Sequence, residues 1–516
     1  MPHLSRRDFL KLLAVSSAGL VASKVRPLLD THGNQTSTKP NILIFVLDAM
    51  SARHLSLYGY ERETTPNLAK FASRANVYHS HYSTANFTSP ATASLLSGLY
   101  PWDHRAINLG GLVHKDFVNY NIFRLIGDEY YKVAFTQSTW ADVLLKQHQN
   151  NFDVHLPVTS FSYKMMRPMF SPSIPSDPIT TYYAYDEFLS FDYKLFNPMP
   201  GSLFLGSFGI LIDQAAKKLK DGTDEYPFGI PSNEFFFYFH NDEVYAGVSE
   251  LVRNFVNSFR PLLGYFHLFA PHAVYCPRKE FTGIFQEISV PSKPLHPLAI
   301  FQLPQETLYD YRKHYDEYIA NVDADFGKMM DTFAKAGILD SSYIVITSDH
   351  GQVFERGEFA HGTYLLYDPV IHIPLLISSP GQRERRDVYS PTSSVDVMPT
   401  LLSLAEKNIP AGLERHLLPG LGGKEDFQRS IFALEAKENS AFEPLTKATM
   451  TLIKEGKKLI YYTGYPQYPE VFEMYDLNED REEMKDLFSE DTVTAARLKE
   501  ELLDTLAEAN RRFVKK

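Results

Sequence analysis

The stretch Ser341–Gly362, SSYIVITSDHGQVFERGEFAHG, decides how the chain folds. Its first part, Tyr343–Thr347, is short, β-branched and without a polar face, and it predicts a strand covered on both sides in a parallel sheet. The run ends abruptly in Asp349 and His350. In open α/β sheets, ligands gather at the carboxyl ends of such strands. A carboxylate and an imidazole side by side at that edge suit a divalent metal, and Gly351 behind them predicts a sharp backbone turn. Taken alone, the same residues also fit a loop aspartate beside a solvated histidine.

A second apolar run, Ile42–Leu47 (ILIFVL), ends in Asp48 in the same way. If the two strands are parallel and adjacent, Asp48 and Asp349 share one edge; by itself Asp48 reads equally well as the cap of the next turn. Ala85–Pro101 (ANFTSPATASLLSGLYP) reads as a loop entering a helix, with Ser89 as N-cap, Pro90 at the first helical position and Leu95, Leu96 and Leu99 on the apolar face. Thr88 then projects just ahead of a helix N-terminus, where free N–H groups and the dipole favour an anion. A hydroxyl placed there becomes a nucleophile if a metal lowers its pKa.

The spacing of Tyr315, Ile319, Val322, Phe326, Met329 and Phe333 predicts an amphipathic helix feeding the Tyr343 strand, with Asp323 and Asp325 as structural residues on it. Leu262–Leu268 and Leu375–Ser378 predict further buried strands. Met450–Lys454 and Lys458–Tyr462 predict a hairpin around Glu455-Gly456, followed by a terminal helix from about Thr492 to Phe513.

With 516 residues, 44% hydrophobic and 22% charged, the chain is long enough for one large domain and a smaller one. A formal charge of -11 argues against a nucleic-acid partner, which calls for a basic surface. Cys276 is the only cysteine, so an intrachain disulfide and a cysteine metal cluster are both excluded. Any metal site must be built from oxygen and imidazole. At the N-terminus, Ser5-Arg6-Arg7-Asp8-Phe9-Leu10-Lys11 matches a twin-arginine export signal, and residues 1–30 are assigned to it. The expected location is periplasmic or otherwise extracytoplasmic. The apolar stretch Leu12–Ala22 is too short for an ordinary membrane span, although left uncleaved it would anchor the protein to a membrane. Thr31–Lys39 reads as a linker. The Pro-, Tyr- and Phe-rich segment from about 156 to 235 reads as an insertion shaping the mouth of the site.

Several of these pieces together resemble a known family. Pro40-Asn41-Ile42 through Asp48, Thr88-Ser89-Pro90 with Ser94–Pro101, His267–Tyr275, Ser348–Gly351, Tyr367–Ile377 (YDPVIHIPLLI), Ser394–Leu404 (SVDVMPTLLSL) and Tyr475–Leu487 (YDLNEDREEMKDL) are similar, in order, to the sulfatase family of the alkaline phosphatase superfamily. The resemblance implies a doubly wound, mostly parallel α/β catalytic domain over residues 38–410 and a smaller C-terminal α+β subdomain over 411–516. It implies one divalent ion (Mn, Zn, Mg or Ca) held by Asp48, Thr88, Asp349 and His350. His272 and His361 would then meet the transferred group or protonate the leaving oxygen, with His267 supporting the site rather than binding the ion.

The chain also departs from that pattern. Thr88 stands where the family oxidises a Cys or Ser to formylglycine, and a threonine could give only a ketone. Thr92 replaces the usual Arg, Ala49 the second Asp, and Ser138-Thr139-Trp140-Ala141 the lysine-bearing segment. A threonine nucleophile resembles instead the phosphodiesterase, lipoteichoic acid synthase-like and phosphoethanolamine transferase branches. The expectation is an exported hydrolase or transferase of phosphoesters, acting through Thr88 on a small-molecule, glycan or lipid ester. The alternatives are a sulfuric ester hydrolase using Thr88 directly, and a non-catalytic glycan- or lipid-binding relative.

Overall fold

The strand Asn41–Leu47 is buried along its whole length at the centre of an eight-stranded sheet. The structure, a computed structural model, describes residues 39–161, 223–233, 238–256, 258, 260–413, 417–466 and 468–513; the export segment and most of the aromatic insertion lie outside them. The sheet order is Arg386–Val388, Asn76–Tyr78, Leu375–Ser378, Ser342–Thr347, Asn41–Leu47, Leu262–Leu268, Tyr131–Thr136, Val154–His155. All neighbours run parallel except at Leu375–Ser378, which is antiparallel to both strands beside it.

Period-two alternation explains why the apolar run has no polar face. Leu43, Phe45 and Leu47 enter one core with the helices Asn241–Phe255 and Gln305–Lys335, the second contributing Tyr315, Ile319, Val322, Phe326, Met329 and Phe333. Ile42, Ile44 and Val46 enter the opposite core with Leu95 and Leu96 of the Thr88–Ser97 helix and with Val397–Leu404. Each large apolar side chain so buried contributes roughly 1.5–3 kcal/mol. On the long helix, Asp323 accepts the backbone N–H of Asn67 and of Leu68, both at 2.8 Å, and Asp325 pairs with Arg278 at 2.8 Å, so both are structural residues.

The C-terminal part is a four-stranded antiparallel sheet, Ile431–Glu435, Ala448–Lys454, Lys457–Tyr465 and Tyr468–Asp476. The helix Thr492–Arg511 covers it, with Leu498 and Leu502 packed on Leu452 and Met474. The hairpin turns at Glu455 (φ 55°) and Gly456 (φ 73°), the paired positive φ values of a tight turn whose twist matches its strands. Among the described residues no helix is long and apolar enough to cross a membrane.

Candidate active site

Val46 is paired with both His267 and Thr347, so these three residues share one face of the sheet. Two residues beyond Val46 and Thr347 come Asp48 and Asp349, again on that face, which the Thr88 helix covers. The register therefore gathers two carboxylates and an imidazole at one sheet edge. His267 Nε2 lies 3.1 Å from Asp48 Oδ2 and 3.7 Å from Asp349 Oδ2. Ligand atoms of Asp48, His267 and Asp349 all fall within 4.8 Å of one another.

The backbone holds this cluster tightly. Ala49 and His350 donate their N–H groups to Asp349 Oδ1, at 3.1 and 2.9 Å. The Tyr315 hydroxyl donates to the carbonyl of Ala49 at 2.6 Å and accepts the N–H of Ser51 at 2.9 Å, which fixes Ala49 at φ 60°. Gly351 is needed for proximity rather than for a left-handed turn: a Cβ there would lie 2.1 Å from the carbonyl oxygen of Pro369.

His350 is the next member. Its Nδ1–H donates to the carbonyl of Gly351 at 3.0 Å, which turns Nε2 toward the cluster. That nitrogen is 3.4 Å from Asp349 Oδ2 and 3.7 Å from Asp48 Oδ1. It also lies 3.4 Å from Thr88 Oγ1. Thr88 is itself the first residue of the helix Thr88–Ser97, with Phe87 as N-cap. The expectation that Ser89 caps this helix fails: its hydroxyl accepts the N–H of Gly110 at 3.0 Å instead.

Asp48 Oδ1 and Asp349 Oδ2 are buried and have no hydrogen-bond partner among the described residues. Burial, and then repulsion from Asp349, hold the Asp48 carboxyl well above its ordinary pKa. Burial pushes Asp349 upward too, but His350, His267 and the two backbone N–H groups outweigh it and hold that carboxyl low. A buried carboxylate pair with unused oxygens is costly unless a cation compensates it. The donor set therefore fits a divalent ion, with Asp48, Asp349, His267 and His350 able to hold it and Thr88 Oγ1 beside them. His267, expected to support the site rather than bind the ion, is placed with Asp48 and Asp349 in a group whose ligand atoms could hold one.

His361 and His272 extend the site outward. The rings of His350 and His361 are 4.2 Å apart between centroids, and those of His361 and His272 are 4.7 Å apart. His272 Nδ1–H donates to the carbonyl of Ala273 at 2.7 Å, and His361 Nδ1 contacts Gln352 Oε1 at 3.2 Å. Burial, reinforced by the neighbouring imidazoles, pushes the His272 pKa down to about 4 and that of His361 well below its ordinary value. His272 thus meets the site at neutral pH as a neutral ring whose Nε2 accepts a proton. The expectation that it donates one to a leaving oxygen holds only after it has first taken one up. Gln352 and Tyr315 were silent in the sequence, because neither type signals a site; only their partners in space do.

Comparison with known proteins shows the family and the fold. The family model described as Sulfatase matches residues 40–407, and one described as N-sulphoglucosamine sulphohydrolase, C-terminal, matches 357–511. Choline-sulfatase of Rhizobium meliloti (strain 1021) is 23% identical over 479 residues, covering 88% of this chain and 83% of that protein. Arylsulfatase K of Danio rerio is 27% identical over 226 residues, a match covering 40% of this chain and 42% of that protein. Among solved structures, phosphonate monoester hydrolase of Agrobacterium radiobacter superposes with a TM-score of 0.64 at 18% identity, over 92% of this chain and 97% of that one. A structure in complex with its substrate D-glucosamine-2-N,6-O-disulfate superposes with a TM-score of 0.61 at 17% identity, over 92% and 98%. With the sulfatase model spanning most of its length and the sheet edge built as described, the chain belongs to the sulfatase family of the alkaline phosphatase superfamily.

Proposed function

We propose that the protein is a metal-dependent phosphoester hydrolase or transferase in which Thr88 is the nucleophile. The observation that carries this reading is the position of Thr88 Oγ1, at a helix N-terminus and 3.4 Å from His350 Nε2, beside two buried carboxylates with unused oxygens. A divalent ion held by Asp48, Asp349, His267 and His350 would lower the pKa of the Thr88 hydroxyl and polarise the transferred group. Two imidazoles in the set favour Zn or Mn over Ca or Mg. Thr88 Oγ attacks phosphorus, the ester P–O bond breaks, and the phosphoryl group passes to threonine. The hydroxyl proton goes to an imidazole, His272 or His361, and from there to the departing alkoxide. Water or an acceptor alcohol then releases the group by the reverse sequence. The export motif at residues 5–11 supports action outside the cytoplasm on a small-molecule, glycan or lipid ester.

The second reading is sulfate ester hydrolysis by Thr88 itself, favoured by the likeness to choline-sulfatase along 88% of the chain. Matched aryl phosphate diesters, phosphonate monoesters and aryl sulfates, assayed with Mn²⁺ and Zn²⁺ on wild type and Thr88→Ala, separate the two. Phosphoester turnover lost in Thr88→Ala, with a phosphoryl adduct on Thr88 by high-resolution mass spectrometry, is the expected result. Turnover of sulfates alone reverses the preference.

A further inference from the structure

We propose that Tyr265 is a positioning residue of the metal centre, its hydroxyl selecting which nitrogen of His267 faces Asp48 and Asp349. The inference rests on the reading of the cluster as a divalent-ion site. Tyr265 and His267 are alternate residues of one strand, both fully buried, and so lie on the same sheet face. The Tyr265 hydroxyl is 3.1 Å from His267 Nδ1, while Nε2 on the far side of the ring is 3.1 Å from Asp48 Oδ2.

Without an ion, the ring carries its proton on Nε2, donates it to Asp48 and accepts at Nδ1 from the tyrosine O–H. To serve as a ligand, Nε2 must offer its lone pair, and the single ring proton then sits on Nδ1. That tautomer needs an acceptor at the Tyr265 position. A hydroxyl can donate in the first state and accept in the second, which neither a backbone carbonyl nor a carboxylate can do. Thr92 acts on the same hydroxyl and its buried Oγ1 has no hydrogen-bond partner among the described residues, so it is free to accept the tyrosine O–H in the second state. The ring holds one proton in both states and stays neutral, so no charge is created in a buried place. The loop after Asp48 offers nothing equivalent: Ala49 has no ligating atom in its side chain, and its N–H and carbonyl are committed to Asp349 and Tyr315.

The test is Mn²⁺ and Zn²⁺ binding by calorimetry on the full chain, for wild type, Tyr265→Phe, His267→Ala and the double variant, with the His267 tautomer followed by ¹⁵N-histidine NMR. Groups that orient a metal-bound histidine are worth about 10–100-fold in affinity. Tyr265→Phe is expected to weaken binding by that factor and to change the tautomer signal, and the double variant to lose no more than His267→Ala. A purely structural tyrosine would move the thermal midpoint and leave affinity and tautomer alone; that result, or additive losses in the double variant, overturns the proposal. If Tyr265→Phe does not fold, Thr92→Val reads the other end of the chain: a several-fold weaker ion affinity supports the relay, and unchanged affinity overturns it. Wild type that binds neither ion overturns the metal reading itself, a result distinct from a wild type and a Tyr265→Phe variant that bind equally well.

Discussion

Thr88 differs from serine by one methyl group and from the formylglycine precursors of its family by the chemistry that methyl forbids. What it keeps is the oxygen, buried and 3.4 Å from His350 Nε2. Thr88→Ser retains that oxygen and is expected to stay within about ten-fold of wild-type kcat/KM, whereas Thr88→Ala should lose about 10³-fold or more, as removal of a nucleophile does. Steady-state kinetics on the best phosphoester of the panel distinguish these outcomes; an alanine variant with wild-type kcat would remove Thr88 from the chemistry. Fixed positive charge is not among the leading influences on Asp48, although Lys437 acts on His361. Asp48 is influenced by Asp349, His350 and Ser138, none of them a lysine or arginine. On the metal reading, the charge developing near Asp48 in the transition state would fall to the ion.

At the scale of elements, the site depends on strands that stop at the right place and on turns that come close together. The turn after Ser342–Thr347 passes so near Pro369 that Gly351 has no room for a side chain, and the Gly351 N–H donates to the carbonyl of Val370 at 2.7 Å. Gly351→Ala must push the two segments apart and is expected to cost about 1–3 kcal/mol in denaturant unfolding. Because Asp349 and His350 immediately precede the turn, ion affinity should fall in the same variant, and titration calorimetry would show it. The sheet's central strand is less forgiving still. Phe45 is fully buried and stacked on Phe266 with centroids 5.2 Å apart, so Phe45→Ala should cost about 3–5 kcal/mol, readable in the same denaturant experiment.

Across the whole molecule, a buried polar seam joins the C-terminal sheet to the catalytic part. Lys458 is fully buried with its ammonium 2.7 Å from Glu483, and Glu483 also accepts the N–H of Asp368 at 2.8 Å. Lys458→Met leaves that carboxylate without its cation and is expected to cost about 3–5 kcal/mol, with part recovered in Lys458→Met/Glu483→Gln. The response to acid is also a property of the whole. Burial pushes His81 and His104 down to about 3 and His148 down to about 4. Each is neutral when folded, while the unfolded chain takes up a proton near pH 6.5, so their stability contribution is full above that pH and is lost as pH falls from 6.5 toward 4. The expected slope is about 1.4 kcal/mol per pH unit for each imidazole, checked by urea unfolding at pH 7, 6 and 5.

Much of this was legible in the chain itself. Two short apolar runs without a polar face, rich in β-branched residues and each ending in an acid, pointed to strands buried on both sides with carboxylates at their ends. A single cysteine restricted any metal to oxygen and nitrogen ligands, and a threonine at position 88 closed the route to formylglycine. Strand order and register were not legible. His267 lies 219 positions from Asp48, and only the pairing of Val46 with both His267 and Thr347 turns it toward the two carboxylates. A slip of one residue would have pointed it into the opposite core. Local sequence settles what a strand is and where it ends; which side chains meet across neighbouring strands is set by long-range packing, and that only the tertiary structure decides.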